Sequence, residues 1–335
     1  MPEKLSDKLR EHLKLSEGRY IDIKDIRVSL KVEPGSNDDA NLRKLMSGLF
    51  VEQKIVSSSG KKDGIYKVIR RVKPVRVFTP GRERRPPFKL FFPRDFDTGM
   101  EMNFADDIVI REGDCITIGG VSNQGKTCIA LHLCGENIDC EPVLMGNEYT
   151  TRIGETEEFE PAPRFYNRLE AMDWVQWTNG TGGDRFLLLP VREDYAEHIV
   201  KDKINIIDWV NLDAGALYGI STLMENGKAE VGRGILVIVL QKSESSASPR
   251  GGQFAKDFSD CELLIDKYTE TESLLTIGKV KEYNRTVSGR TFAFAIVKGV
   301  KIINFREVKK CKFCSGKGYT SKGECDICVK GYVDA

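Results

Sequence analysis

The nine residues GGVSNQGKT, positions 119–127, stand between the apolar run DCITI and the helical segment CIALHLC. Gly120, Gly125, Lys126 and Thr127 satisfy the pattern G-x4-G-K-[ST] at a strand-to-helix junction, the context in which that pattern cradles phosphate. The glycines let the backbone amides of the intervening Val121, Ser122, Asn123 and Gln124 turn inward. The amino terminus of the amphipathic helix expected from Lys126, Thr127 and Cys128 onward adds positive potential there. Lys126 is placed to reach the β and γ phosphates of ATP, and Thr127 to hold Mg²⁺.

A loop of this kind commits the surrounding chain to an α/β fold. From about residue 100 to 308, short apolar runs alternate with helical stretches: DCITIGG, PVLMGNEY, KINIIDWV and GILVIVLQ against KTCIALHLCGEN, RFYNRLEAM and LYGISTLMENGKA. Apolar runs without period-two alternation are what strands buried on both faces look like. The expected core is therefore a mostly parallel sheet with helices on both faces, closing in an antiparallel meander through CELLIDK, SLLTIGKVKE, TFAFAIVKG and VKIINFREV.

Hydrolysis needs a second metal-facing carboxylate and a base for the attacking water. Asp208 ends the apolar strand KINII, where Mg²⁺ would satisfy a buried carboxylate; the alternative use of Asp208 is as a helix cap. Glu148 ends the strand after the phosphate-loop helix, at the carboxyl edge where ligands sit in open α/β sheets.

A phosphate loop, a glutamate at the tip of the next strand, an aspartate strand and a strand ending in Gln241 resemble the RecA-fold ATPases, in particular the branch of DnaB-type helicases, RadA and KaiC. The resemblance covers roughly residues 100–308. It implies that Glu148 polarises the water and that Gln241 senses the γ phosphate and signals to DNA-binding loops. It also makes Arg250 and Lys256, in the segment after Gln241, candidate DNA contacts; the other use of such a segment is a solvated linker. Lys279 and Lys281 stand where RecA-like rings carry a K-x-K pair that reaches a neighbouring subunit's γ phosphate, so the resemblance implies a ring or filament with shared catalytic sites. The stretch TRIGETEEFEPAPRFYNRLEAMDWVQWTNG has no counterpart in that pattern and is either a partner surface or an insertion.

Residues 1–70 read as a separate domain of three helices and a hairpin, with a Ser cap opening the first helix and Leu42, Leu45, Met46, Leu49 and Phe50 on one stripe of the third. That order resembles a winged helix, which implies that the third helix enters the major groove and that Lys61 and Lys62 at the wing tip meet phosphate. Asp38 and Asp39 at the start of that helix would repel DNA, and a protein contact is the other use of such a domain. Residues 71–99 are basic and rich in proline, a linker that serves either as a solvated spacer or as a track along a nucleic-acid backbone.

The chain ends on CKFCSGKGYTSKGECDICVKGYV: Cys311 and Cys314, then ten residues, then Cys325 and Cys328. Two CxxC knuckles at this spacing make a closed tetrahedral Zn²⁺ site over residues 309–335. They resemble the CxxCxGxG repeats of the DnaJ zinc domain. Either DNA, through Lys312, Lys317 and Lys322, or a protein is the expected partner of this segment.

Lys and Arg total 51 against 50 Asp and Glu, so affinity for nucleic acid has to come from local patches. No apolar run is long enough to span a bilayer, and the charged amino terminus is unlike a secretory signal, so the chain reads as cytosolic. The reading is an ATP-hydrolysing protein acting on single-stranded or duplex DNA, a helicase-like motor or a remodelling ATPase of replication or recombination. Together with the compact size and accessory modules, the resemblance also implies a replication protein of a phage or mobile element. The alternatives are a KaiC-like, ATP-gated regulator that binds duplex DNA through the winged helix, and an ATP-controlled protein scaffold.

Overall fold

The computed structural model describes the whole chain except residues 1–3, 52, 54, 59–62, 71–72, 80–84, 147, 156–157, 211–216, 244–248 and 250. Lys61, Lys62 and Arg250 therefore lie outside the described residues. The chain divides into two compact units, Met1–Arg84 and Arg85–Ala335.

The first unit runs α1 (Leu5–Leu15), β1 (Tyr20–Asp22), α2 (Ile23–Leu30), α3 (Asn37–Val51), β2 (Val56–Ser58) and β3 (Ile65–Val68). Its three strands pair antiparallel in the order β1-β3-β2. Leu9 and Leu13 of α1, Ile26 of α2, and Leu42, Met46 and Leu49 of α3 close its core with Val56 and Val68. Phe50, placed on the same stripe by the sequence, is exposed. The Ser cap is corrected: α1 starts after Lys4, and Ser6 sits in its first turn. β1 has too few residues to show a period, and it forms because β3 offers it a ladder. Asp39 turns inward rather than toward a ligand. Its carboxylate accepts from the Gly35 amide at 3.0 Å and from Arg27 Nε at 2.7 Å, and these two hold it below the usual carboxylate range.

In the second unit, residues expected to be linker fold onto the core. The Phe88 amide donates to Ile110 O at 2.8 Å, and the buried Phe92 ring meets Phe104 edge-on at 5.3 Å. The run FKLFF carries enough apolar surface to be buried, whatever the prolines around it.

The strands are β4 (Cys115–Gly120), β5 (Val143–Met145), β6 (Thr150–Arg152), β7 (Phe159–Pro161), β8 (Leu187–Leu189), β9 (Ile204–Ile207), β10 (Ile235–Gln241), β11 (Cys261–Lys267), β12 (Glu272–Val280), β13 (Thr291–Val297), β14 (Lys301–Lys310), β15 (Tyr319–Thr320), β16 (Gly323–Glu324) and β17 (Tyr332–Asp334). The helices are α4 (Lys126–Glu136), α5 (Pro163–Ala171), α6 (Leu217–Glu230) and α7 (Gly252–Phe258). Ten strands form one sheet in the order β17-β14-β13-β12-β11-β4-β10-β9-β5-β8, while β6-β7 and β15-β16 are separate hairpins. From β11 to β8 every pairing is parallel, and from β11 to β17 every pairing is antiparallel. The α/β class and the closing meander are as expected.

Both faces of the sheet are covered. Along β10, Ile235, Val237 and Val239 join one core with Ile129 and Leu133 of α4, whereas Leu236, Ile238 and Leu240 join another with Ile220 and Met224 of α6. The helix after the phosphate loop is not amphipathic as expected. Every residue from Cys128 to Gly135 is buried, because Met172, Val175 and Trp177 pack over its outer side. The cysteine-rich carboxyl segment is built into the same sheet, with β17 pairing β14 at Lys310–Tyr332, Lys309–Val333 and Val308–Asp334.

Candidate active site and metal centre

The loop after β4 turns into α4 at Gly125, whose φ of +101° and whose approach to Ile296 exclude a side chain: a Cβ there would lie 2.4 Å from Ile296 Cδ1. Lys126 is buried and its Nζ donates to Val121 O at 2.8 Å, inside the loop. Burial lowers its pKa, against the pull of Asp208 and Glu148.

The sheet order decides what meets this loop. β10 lies between the loop strand β4 and the aspartate strand β9, and its last residue, Gln241, pairs with Gly120. Gln241 Nε2 donates to Ser122 Oγ at 2.7 Å, within the loop. Asp208 follows β9, and its amide is bound to Met145 O of β5 at 2.8 Å. Those two strands end so close together that a Cβ at Gly146 would lie 1.7 Å from Asp208 O.

Ser122, Asn123, Gly125, Lys126, Thr127, Cys128, Glu148, Asp208 and Gln241 all line one cavity of about 410 Å³. That is within the roughly 300–1,000 Å³ of small-molecule sites. Among the expected loop residues, Gly120, Val121 and Gln124 do not line it.

Asp208 is buried, and burial pushes its carboxyl up, opposed by the hydroxyls of Tyr149 and Thr127 and by Lys126. Oδ2 accepts from the Tyr149 hydroxyl, while Oδ1 has no hydrogen-bond partner of standard geometry. A buried, half-satisfied carboxylate beside the Thr127 hydroxyl fits a divalent cation, which would supply the charge its surroundings lack. Glu148 is exposed at the cavity edge, open to water.

Six residues of this site had no signal in the sequence. Tyr149 orients Asp208, Gly146 permits the approach of two strands, and Arg168 of α5, Trp209, Ile296 and Gly299 complete the cavity wall. RFYNRLEAM shows a helix, but nothing in its pattern says that the helix returns to the loop.

Lys279 and Lys281 are not brought to this cavity. Lys281 and Lys228 both bind the buried Asp260, whose carboxyl they and the Cys115 amide hold low against the cost of burial. Lys279 Nζ donates to the carbonyls of Lys256 and Asp257 at 2.7 and 3.0 Å, at the end of α7. Lys256 itself is exposed on α7, apart from the cavity-lining residues.

The four carboxyl-terminal thiols lie within 4.8 Å of one another. Sγ separations of 4.0 Å for Cys311–Cys325 and 3.6 Å for Cys314–Cys328 bracket the edge of about 3.8 Å that a tetrahedron with Zn–S bonds of about 2.3 Å requires. The Gly318 amide donates to Cys314 Sγ at 3.3 Å, the support a thiolate ligand needs. These residues fit a structural Zn²⁺.

Neither a scan against protein-family models nor a search of curated proteins gives a match. Among solved structures, the crystal structure of the RadB recombinase is similar over 58% of this chain and 91% of that one, at 14% identity and a TM-score of 0.39. A likeness so distant bears on neither activity nor partners.

Proposed function

We propose that the chain is a Mg²⁺-dependent ATPase of the RecA-like type that acts on DNA. The observation that carries this reading is the convergence of Lys126, Thr127, Glu148, Asp208 and Gln241 on one cavity, from four separate strand ends. Lys126 exchanges Val121 O for the β and γ phosphates. Thr127 and Asp208 hold Mg²⁺, which when bound neutralises phosphate charge. Glu148, exposed to solvent, takes a proton from the attacking water. Gln241 already touches the loop through Ser122, so loss or gain of the γ phosphate is felt at the end of β10.

A ring or filament in which Lys279 and Lys281 serve a neighbour's site belongs to the same reading; both amino groups would have to leave their present partners. Lys256, exposed on α7, is a candidate DNA contact, as are Lys61, Lys62 and Arg250. Zn²⁺ on Cys311, Cys314, Cys325 and Cys328 is structural in this account.

ATP turnover measured without DNA, with single strands and with duplex tests the reading. Strong stimulation by DNA supports it, and absence of turnover that depends on Lys126 refutes it. A second reading, an ATP-gated binder of duplex DNA, gains from the first unit. Its order α-β-α-α-β-β is compatible with a winged helix, and of the two acids expected to repel DNA, Asp39 is paired with Arg27 and Arg43 while Asp38 stays exposed. Duplex binding without stimulated turnover would favour it.

A further inference from the structure

The cysteine cluster presents more to solvent than a structural metal site requires. Phe313 and Ile327 occupy the same position in the two CxxC turns, each just before the second cysteine, and they are 68% and 60% exposed. Thiols within 4.8 Å of one another hold these two turns side by side. Tyr319, on the hairpin that follows the first turn, is 62% exposed. Lys309, Lys310, Lys312, Lys317, Lys322 and Lys330 are all exposed, and none forms an ion pair with a described residue. The same segment has three acids, Glu324, Asp326 and Asp334, and Asp334 is taken by Arg306 at 3.0 Å. Lys309 has Glu307 near it and Lys330 has Glu270, which leaves Lys310, Lys312, Lys317 and Lys322 with no acid against them in the same segment as the exposed aromatic rings.

We propose that this knuckle is a binding platform for single-stranded nucleic acid, on which bases stack against Phe313 and Tyr319 while the lysines follow the phosphates. The partner is chosen by charge and shape. Unneutralised lysines flanking isolated rings suit a polyanion with π faces better than an apolar protein surface. The segment has no helix to enter a major groove, and ring faces are of use only to unpaired bases. β17 fixes the platform to the edge of the ten-stranded sheet, so a bound strand is held by the unit that contains the phosphate loop. This inference deepens the proposed function, and its test does not depend on turnover.

The test is fluorescence anisotropy on the full, zinc-loaded chain without nucleotide. The probe is labelled oligo-dT of about 20 nucleotides, longer than the roughly 4–16 that one OB fold, a larger single-strand platform, covers. Phe313→Ala and Tyr319→Ala should each raise Kd by roughly 5- to 150-fold. Phe313→Trp should retain the affinity, and zinc content at the wild-type level shows that the knuckle is intact. Lys317→Ala and Lys322→Ala should each flatten the slope of log K against log salt by about 0.7.

Wild-type affinity in a zinc-loaded Phe313→Ala, Tyr319→Ala double variant would overturn the platform. So would tighter binding of the duplex form, or a change in self-association in place of a change in strand affinity. Repeating the titration with Lys126→Ala separates the two readings. Strand binding that survives there while wild-type turnover proves absent would sink the ATPase and leave the platform standing.

Discussion

Gly146→Ala would place a methyl carbon 1.7 Å from the carbonyl oxygen of Asp208, where real contacts of this kind essentially never fall under 3.0 Å. The ends of β5 and β9 must therefore part by at least 3.0 − 1.7 = 1.3 Å. The bond from the Asp208 amide to Met145 O spans the same point at 2.8 Å, so a shift of that size along it gives 2.8 + 1.3 = 4.1 Å and breaks it. A buried backbone pair left unmade costs about 1–3 kcal/mol, and overpacking adds about 1–3 kcal/mol, a total of about 2–6 kcal/mol. At roughly 2–4 °C per kcal/mol for a unit of this size, the melting temperature should fall by about 4–24 °C. Displacing Asp208 by about 1 Å should also cost on the order of 10²-fold in turnover. The assays are thermal melting by circular dichroism and single-turnover hydrolysis. Gly180→Ala is the control, because no atom lies within 4 Å of a Cβ there and its φ is ordinary. A Gly146→Ala chain that melts and turns over like wild type would show that this close approach does not position Asp208.

Glu148→Gln should bind ATP and lose hydrolysis by on the order of 10²-fold or more; normal turnover would place the base elsewhere. Because burial raises the folded pKa of Asp208 above its unfolded value of 3.8, the native state holds the extra proton. That contribution is complete below pH 3.8 and is lost as pH rises through the raised value, so metal-free wild type should lose stability relative to Asp208→Asn across that window. A difference in melting temperature that does not change with pH would refute this. Metal analysis should find about one Zn per chain, and chelation should raise hydrogen exchange in β17 and residues 311–335 while β4, β9 and β10 stay protected. Uniform loss of protection would mean that the knuckle supports the whole sheet. Mixing Lys281→Ala with Glu148→Gln chains should restore part of the turnover if sites are shared; no recovery at any ratio would assign Lys281 to Asp260 alone.

The sequence by itself determined the features that repeat or cluster locally. Gly125, Lys126 and Thr127 announce their junction in three consecutive letters, the buried strands announce themselves by unbroken apolar runs, and the thiols by their CxxC spacing. Only the tertiary structure decided which of these meet. Interposing β10 between β4 and β9 brings Gln241 to the loop, and the return of α5 brings Arg168 to the cavity. A strand approach with no room for a Cβ favours glycine at 146, and burial leaves one oxygen of Asp208 without a hydrogen bond of standard geometry. Nothing along the chain showed that Lys281 would have the buried Asp260 beside it, and the aromatic run in a proline-rich stretch read as linker until Phe104 gave Phe92 a surface to pack on. These are contacts between residues far apart in the chain, so they leave no period or spacing along it. Their energies come from burial and close approach, which exist only once the sheet has closed.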